Sequence, residues 1–314
     1  MPLRVAVQMD HISTINMAGD SAFALMLEAQ KRSHTLYHYT PDSLAMTGNT
    51  VTARLEPVEV RDDLADYYTL GEGVRTDMSE IDVILMRQDP PFDLSYIAAT
   101  HMLEKIHPNT LVVNDPTSVR NAPEKLFVTE FADLMPPTLI TRDKSEIDTF
   151  RAEHDEIVMK PLFGHGGAAV FRITKDDLNY GSLYDFFAVT FHESWVIQKF
   201  LPNIKHGDKR ILLVDGEFAG AVNRFPAEGD LRSNMVRGGA PRESDLTDRE
   251  REICARLGAR LRERGLLLVG IDVIDGWLTE INVTAPTGIR AVAKLGGPDI
   301  AARVWDVIEA KRAG

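Results

Sequence analysis

The chain has one cysteine, Cys254, in 314 residues, so no disulfide can form within it and a reducing compartment is expected. Positive charge is scarce: 35 Lys and Arg stand against 47 Asp and Glu, a net charge of −12. That balance excludes binding driven by a nucleic-acid backbone, which needs a basic face, but leaves room for a local basic pocket for one nucleotide. Nothing approaches the roughly 18–20 apolar residues of a membrane span. The first ten residues turn polar too soon for a signal-peptide core. The expectation is a soluble, cytoplasmic protein that engages neither membrane nor nucleic acid.

Familiar catalytic signatures are missing as well. There is no G-x-x-x-x-G-K-[ST], no G-x-G-x-x-G opening a helix, no H-E-x-x-H and no serine nucleophile elbow. His34 and His38 are four apart but lie in a strand-like segment, so they do not form a helical ligand pair. Cys254 falls beside the apolar stripe Ile253, Leu257 and Leu261 and reads as a core thiol.

What is there reads as an α/β protein of two or three domains. Strands are expected over 4–9, 35–39, 81–86 and 110–114, with helices over 21–32 and 96–106. Asp20 or Ser21 would cap the first helix. This alternation predicts a parallel sheet covered on both faces, with ligands beyond the carboxyl ends of its strands. Asp10 and the segment from Arg87 to Asp93 lie at such ends. A second region opens near Asn121, a candidate cap for a helix reaching 131. Strands over 156–160 and 168–173 then flank a glycine-rich turn, and another follows over 195–200. The last region has strands over 209–214, 218–224, 266–274 and 277–283, a helix over 247–264 and a closing helix over 298–311.

Three clusters carry chemistry. Glu280 and Asn282 are two apart in one strand and share a face. With Asp272 they offer the hard oxygens that suit Mg²⁺ bridging phosphates; the alternative is a solvated polar strand face. A two-residue turn at Asp275-Gly276 would pair Asp272 with Thr279 and point Asp272 away from Glu280. A shared metal therefore predicts a three-residue connection or a bulge. The second cluster is Gly164-His165-Gly166-Gly167, where small residues let backbone N–H groups approach phosphate oxygens. Lys160 before it and Lys125 on the preceding helix would neutralise charge; the alternative is an ordinary glycine hairpin. The third is Asp208-Lys209-Arg210 with Arg224 and the loop over 225–241. There Arg232, Asn234, Arg237, Gly238 and Gly239 suit either a lid over anionic chemistry or a surface loop.

The order Lys125, Lys160 with its glycine turn, then Asp272 and Glu280-Ile281-Asn282 resembles the ATP-grasp ligases. Within them the chain is similar, over nearly its full length, to the bacterial glutathione synthetases. The matching stretches include Met9-Asp10, Ile15-Asn16, Asp20-Ser21, Leu27 to Gln30, Met86-Arg87, Asp89 to Asp93, Glu124 to Phe127, Gly207 to Arg210, Val214 to Glu217 and Leu278 to Thr284. The resemblance implies an ATP-grasp fold, two subdomains gripping ATP over 122–201 and 202–314, after an N-terminal parallel-sheet substrate domain over 1–121. It implies ligation of glycine to the cysteinyl carboxylate of γ-glutamylcysteine through an acyl phosphate. ATP and Mg²⁺, or Mn²⁺, are the implied cofactors, and a homo-oligomer, a tetramer, the implied assembly.

Residue by residue, Lys125 and Lys160 match phosphate-binding lysines, and Gly164, His165, Gly166 and Gly167 the phosphate loop. Gln198, Lys199 and Leu201 match the adenine segment and Asp208 a ribose contact. Asp272, Glu280 and Asn282 match the metal ligands. Arg210, Arg224, Arg237, Gly238 and Gly239 match the dipeptide and acyl-phosphate surroundings, with Arg210, Lys160 and Gly239 catalytic. Arg87 matches an N-domain substrate contact. The chain departs from the pattern at Phe163, where the family often has an acidic residue, and at Ala285, where it often has Ser. Two other readings fit the residues: an ATP-grasp ligase for a different amine, and a nucleotide binder without ligase activity.

Overall fold

The protein is described by a computed structural model covering residues 2–226 and 240–313. Three sheets organise the described residues. The first contains β1 (Arg4–Gln8), β2 (Thr35–Tyr39), β3 (Ala45–Thr47), β4 (Thr50–Val60), β5 (Tyr68–Leu70), β6 (Val74–Asp77), β7 (Val83–Met86) and β8 (Leu111–Val113). Its main path runs β3-β4-β2-β1-β7-β8, with β5 and β6 both paired to β4. The expected parallel half is present, since β1 pairs parallel with β2 and β7, and β7 with β8. An antiparallel extension, β3 to β6, continues it on the β2 side. Helix α1 (Ser21–Lys31) is capped by Asp20, whose carboxylate accepts from the Phe23 N–H at 2.6 Å. Helix α2 (Leu94–Glu104) follows the Arg87–Asp93 segment and is capped by Asp93.

Short helices α3 (Pro116–Arg120) and α4 (Glu124–Phe127) lead to the second sheet. Asn121 does not cap the second of these; it closes α3, and Pro123 stands at the start of α4. Helix α4 gives way to a 3₁₀ stretch over Val128–Leu134, which kinks at Phe131, at φ −120° and ψ 45°. The second sheet is antiparallel: β9 (Thr138–Thr141), β10 (Ile157–Pro161), β11 (Phe171–Ile173) and β12 (Trp195–Lys199), in the order β11-β10-β12-β9. Helices α5 (Lys144–His154) and α6 (Tyr180–Thr190) pack with it. Its core, built around Ile147, Met159, Phe187 and Trp195, is separate from the two larger cores that join the first and third sheets.

The third sheet, also antiparallel, holds β13 (Asp208–Val214), β14 (Glu217–Phe225), β15 (Ala240–Glu243), β16 (Leu268–Ile274) and β17 (Trp277–Asn282), in the order β15-β14-β13-β16-β17. Helix α7 (Asp248–Glu263) starts with a full capping box between Thr247 and Glu250 and buries Ile253, Leu257 and Leu261. Helix α8 (Ile289–Lys294) and the closing α9 (Ile300–Ala313) return the chain to the first sheet, where the Trp305 indole donates to the Leu25 carbonyl at 2.8 Å.

Candidate active site

The three sheets meet around a cleft of about 490 Å³. Its floor is one face of the third sheet. Strand alternation and register bring together Asp208 and Arg210 of β13, Arg224 of β14, Asp272 of β16, and Glu280 and Asn282 of β17. The β16–β17 hairpin combines two features. Asp275 and Gly276 form a two-residue turn, both with positive φ, as a type I′ turn demands, and Ile274 pairs with Trp277. One step further in, Val273 pairs with Leu278 but Asp272 pairs with Glu280, so Thr279 is an extra residue on β17. The bulge, not a longer connection, restores Asp272 and Glu280 to one face.

Asp272 is the hub. Arg210 grips it in a fork, Nε to Oδ1 at 2.6 Å and Nη2 to Oδ2 at 3.0 Å, and Arg224 Nη2 lies 2.9 Å from Oδ1. Arg224 Nη2 also donates to Asp208 Oδ2 at 2.6 Å. Burial works against the Asp272 charge, but the two guanidiniums outweigh it and hold the carboxyl well below the usual carboxylate range. Gly270 makes room for the fork: a Cβ there would lie 3.2 Å from Arg210 Cδ and 2.9 Å from Pro286 Cβ. Beside the hub, Glu280 Oε1 lies 3.3 Å from Lys160 Nζ and 3.5 Å from Lys125 Nζ. Burial again opposes the charge, and the two lysines keep the Glu280 carboxyl below its ordinary value.

The roof comes from the second sheet. Lys160 is the last residue but one of β10, and the chain then turns through Gly166 and Gly167 at φ 59° and 72°, values that favour glycine. Lys125 ties this turn to α4 by donating to the Gly164 carbonyl at 2.6 Å. Gln198 is oriented by a bond from its amide to Thr138 Oγ1 at 2.8 Å, and Lys199 and Leu201 continue along the same wall. The cleft thus gathers Lys125, Lys160, Gly164, His165, Gly166, Gly167, Gln198, Lys199, Leu201, Asp208, Arg210, Arg224, Asp272, Glu280 and Asn282.

Two sets of expected residues are not among those gathered in the cleft. Arg87 is buried and is not among the residues lining the cleft; its guanidinium donates to the Pro286 carbonyl at 2.9 Å, behind the 284–287 wall. Arg232, Asn234, Arg237, Gly238 and Gly239 lie outside the described residues, as does most of the 225–241 loop. The sequence reading also missed residues that the cleft contains. Glu124 is half-buried in its wall, where the Thr284 hydroxyl lies 3.3 Å from its carboxylate. Burial pushes the Glu124 carboxyl up to about 7, against the pull of Lys125. Its one sequence signal is its place just before Lys125. Asp10 and Asp89, both in segments expected at the ligand-facing strand ends, reach the cleft from beyond the first sheet.

The donors suit a divalent cation shared with phosphate. Two carboxylates and an amide oxygen line one patch, yet Asp272 is already held by arginines, and no three His, Cys, Asp or Glu side chains among the described residues make a metal site alone. Such a set is completed by substrate oxygens. Six basic side chains, Lys125, Lys160, Arg172, Lys199, Arg210 and Arg224, face six carboxyl groups, Asp10, Asp89, Glu124, Asp208, Asp272 and Glu280, so a bound triphosphate adds negative charge for a cation to balance.

A glycine turn following Lys160 on one sheet, tied to Lys125 of α4 and set over an Asp/Glu/Asn face on another sheet, is the arrangement of an ATP-grasp ligase. The solved structure of a D-cycloserine synthetase, DcsG, shares this fold at TM-score 0.70 and 16% identity, over 98% of this chain and 99% of that one. An ATP-grasp ligase, PsnB, matches at TM-score 0.62 and 16% identity over 100% and 99%. The family model for the prokaryotic glutathione synthetase N-terminal domain matches residues 3–120, and that for the prokaryotic glutathione synthetase ATP-grasp domain matches 124–297. The glutathione synthetase of Rhodopseudomonas palustris is 71% identical over the whole of both chains, and that of Bradyrhizobium diazoefficiens 67%. The chain belongs to the prokaryotic glutathione synthetase family and is an ATP-dependent ligase. No helix among its described residues is long and apolar enough to cross a membrane.

Proposed function

We propose that the cleft joins glycine to the cysteinyl carboxylate of γ-glutamylcysteine, with the reaction divided between floor and roof. The γ-phosphate of ATP passes to the dipeptide carboxylate, breaking the bond to ADP and making an acyl phosphate. The glycine amine then attacks that carbonyl, loses a proton and expels phosphate. A carboxylate is a poor electrophile, and phosphorylation supplies its leaving group. Phosphoryl transfer asks chiefly for positioning and charge neutralisation, so no protein nucleophile is required.

In this reading Lys125, Lys160 and the turn from Gly164 to Gly167 hold the phosphates. Gln198, Lys199 and Leu201 hold adenine and Asp208 the ribose. Arg210 and Arg224 hold the reacting carboxylate and the acyl phosphate, the fork geometry of arginine suiting both. Arg237, Gly238 and Gly239 belong to the same surroundings by resemblance alone. Arg87 acts through the 284–287 wall. Asp272, Glu280 and Asn282 would hold Mg²⁺, or Mn²⁺, which when bound neutralises phosphate charge. Three units near 1–121, 122–201 and 202–314 are part of this proposal; the separate core of the second sheet supports the middle one. A cytoplasmic homo-oligomer, a tetramer, is proposed from the family resemblance; sedimentation velocity measures its size.

The observation that carries the reading is the shared face of Asp272 and Glu280, each held by two cations. The test is phosphate release with ATP, Mg²⁺ and γ-glutamylcysteine, with and without glycine, and product mass. Glycine-dependent phosphate with glutathione supports it; phosphate release indifferent to glycine moves the ligase to another amine.

A further inference from the structure

Phe163 stands at the mouth of the phosphate turn, 36% exposed, where a large apolar ring gains little from solvent. Its ring lies on that of Phe92, centroids 6.1 Å apart with planes 28° from parallel. Phe92 in turn packs on Tyr96, centroids 5.2 Å apart, and Tyr96 is buried in the core beside the first sheet. Three rings thus run from α2, through the segment after β7, to the turn that follows β10. The crevice between Phe92, Leu162, Phe163 and His165 retains a cavity of only about 20 Å³, too small for a substrate group, so this is a packed contact and not a ligand pocket.

Its location gives the contact meaning. The second sheet has its own core, separate from those of the other two sheets. The glycine turn it carries has two residues at positive φ and is secured on the other side by Lys125. A body with its own core, held to its neighbours by a few contacts, is free to open, and each such contact biases its closed position.

We propose that Phe163 is a positioning residue: its stack on Phe92 holds the phosphate turn against the N-terminal sheet, in the closed arrangement over the ATP phosphates. This rests on the ligase reading above. The stack excludes water from the phosphates and keeps ATP consumption tied to peptide-bond formation. Offset aromatic pairs contribute enough beyond burial to shift a closing equilibrium by about 2- to 10-fold.

The experiment compares wild type, Phe163→Ala, Phe163→Tyr, Phe92→Ala and the Phe92/Phe163 double alanine variant, with ATP, Mg²⁺, γ-glutamylcysteine and glycine. KM for ATP, kcat and phosphate released per glutathione formed are read for each, with melting temperature. Wild type making one glutathione per phosphate is the control; its failure strikes the ligase reading, not this one. Phe163→Ala is expected to raise KM for ATP about 2- to 10-fold and to release phosphate in excess of product. Phe163→Tyr restores both. Phe92→Ala reproduces the defect, and the double variant is no worse than either single one, because both remove one contact. Unchanged coupling in Phe163→Ala, or two defects that multiply as independent effects, overturns the proposal. So does a fall in melting temperature with the phosphate-to-product ratio kept at one.

Discussion

Arg224 bridges Asp208 and Asp272 with a single nitrogen, Nη2, at 2.6 and 2.9 Å, and so links the proposed ribose position to the hub of the metal face. All three side chains are buried, and Arg210 closes the group from the neighbouring strand. The face is a charge-balanced network in which no member is dispensable without stranding another.

Removing the hub charge should therefore cost stability as well as activity. In Asp272→Asn, Arg210 and Arg224 lose their shared carboxylate while both remain buried. Breaking a buried pair from one side typically costs about 3–5 kcal/mol. Urea unfolding measures it, and a loss below about 1 kcal/mol would show that the guanidiniums find other partners.

Glu280 behaves differently, because Lys125 and Lys160 approach it at the cleft surface, at 3.5 and 3.3 Å. Glu280→Gln should keep the fold and lower kcat by about 10²–10³-fold, the scale of losing one transition-state charge partner. Steady-state kinetics at saturating ATP, alongside a melting curve, separates the two effects. Wild-type turnover would remove Glu280 from the phosphate chemistry.

Gly270 is an indirect handle on the same network. A methyl there meets Pro286 at 2.9 Å and Arg210 at 3.2 Å, so either the 284–287 wall or the arginine fork must shift. Gly270→Ala should destabilise by about 1–3 kcal/mol through overpacking and reduce turnover, although it changes no charge. Full activity would show that the wall yields without moving Arg210.

Cys254 offers a test of the uncatalysed side of the molecule. It is buried among α7 and the third sheet, and burial with the nearby Glu250 charge pushes its thiol up to about 12. The thiolate is the reactive form, so at pH 8 the native thiol should resist iodoacetamide and label only on unfolding. Mass spectrometry reads the adduct. Rapid native labelling with loss of activity would place Cys254 near the chemistry.

The parallel half of the first sheet is legible because β1 and β7 are short, largely apolar strands and the capped helix α1 separates β1 from β2. Its antiparallel extension is not. The long strand β4 carries Pro57, which sequence rules confine to edges and irregular positions, and the short strands beside it are half exposed. The metal face shows where local counting stops. Parity of the hairpin demands some irregularity between Asp272 and Glu280, but it cannot choose between a longer turn and the bulge at Thr279. Glu124 escapes for another reason: its hydrogen-bond partner is Thr284, 160 residues away, and no local pattern reports that contact. Arg87 is the converse, a residue matched to a substrate role whose long side chain turns to the backbone of Pro286.

The central claim is that a carboxylate is activated by phosphorylation on the face that Asp272, Glu280 and the two arginines build. The direct test uses γ-glutamylcysteine carrying ¹⁸O in both oxygens of the cysteinyl carboxylate, with ATP, Mg²⁺ and glycine. Mass spectrometry of the released phosphate should find one ¹⁸O in each, with the other retained in the new amide carbonyl. Phosphate released without the label, alongside peptide-bond formation, would contradict the acyl-phosphate route.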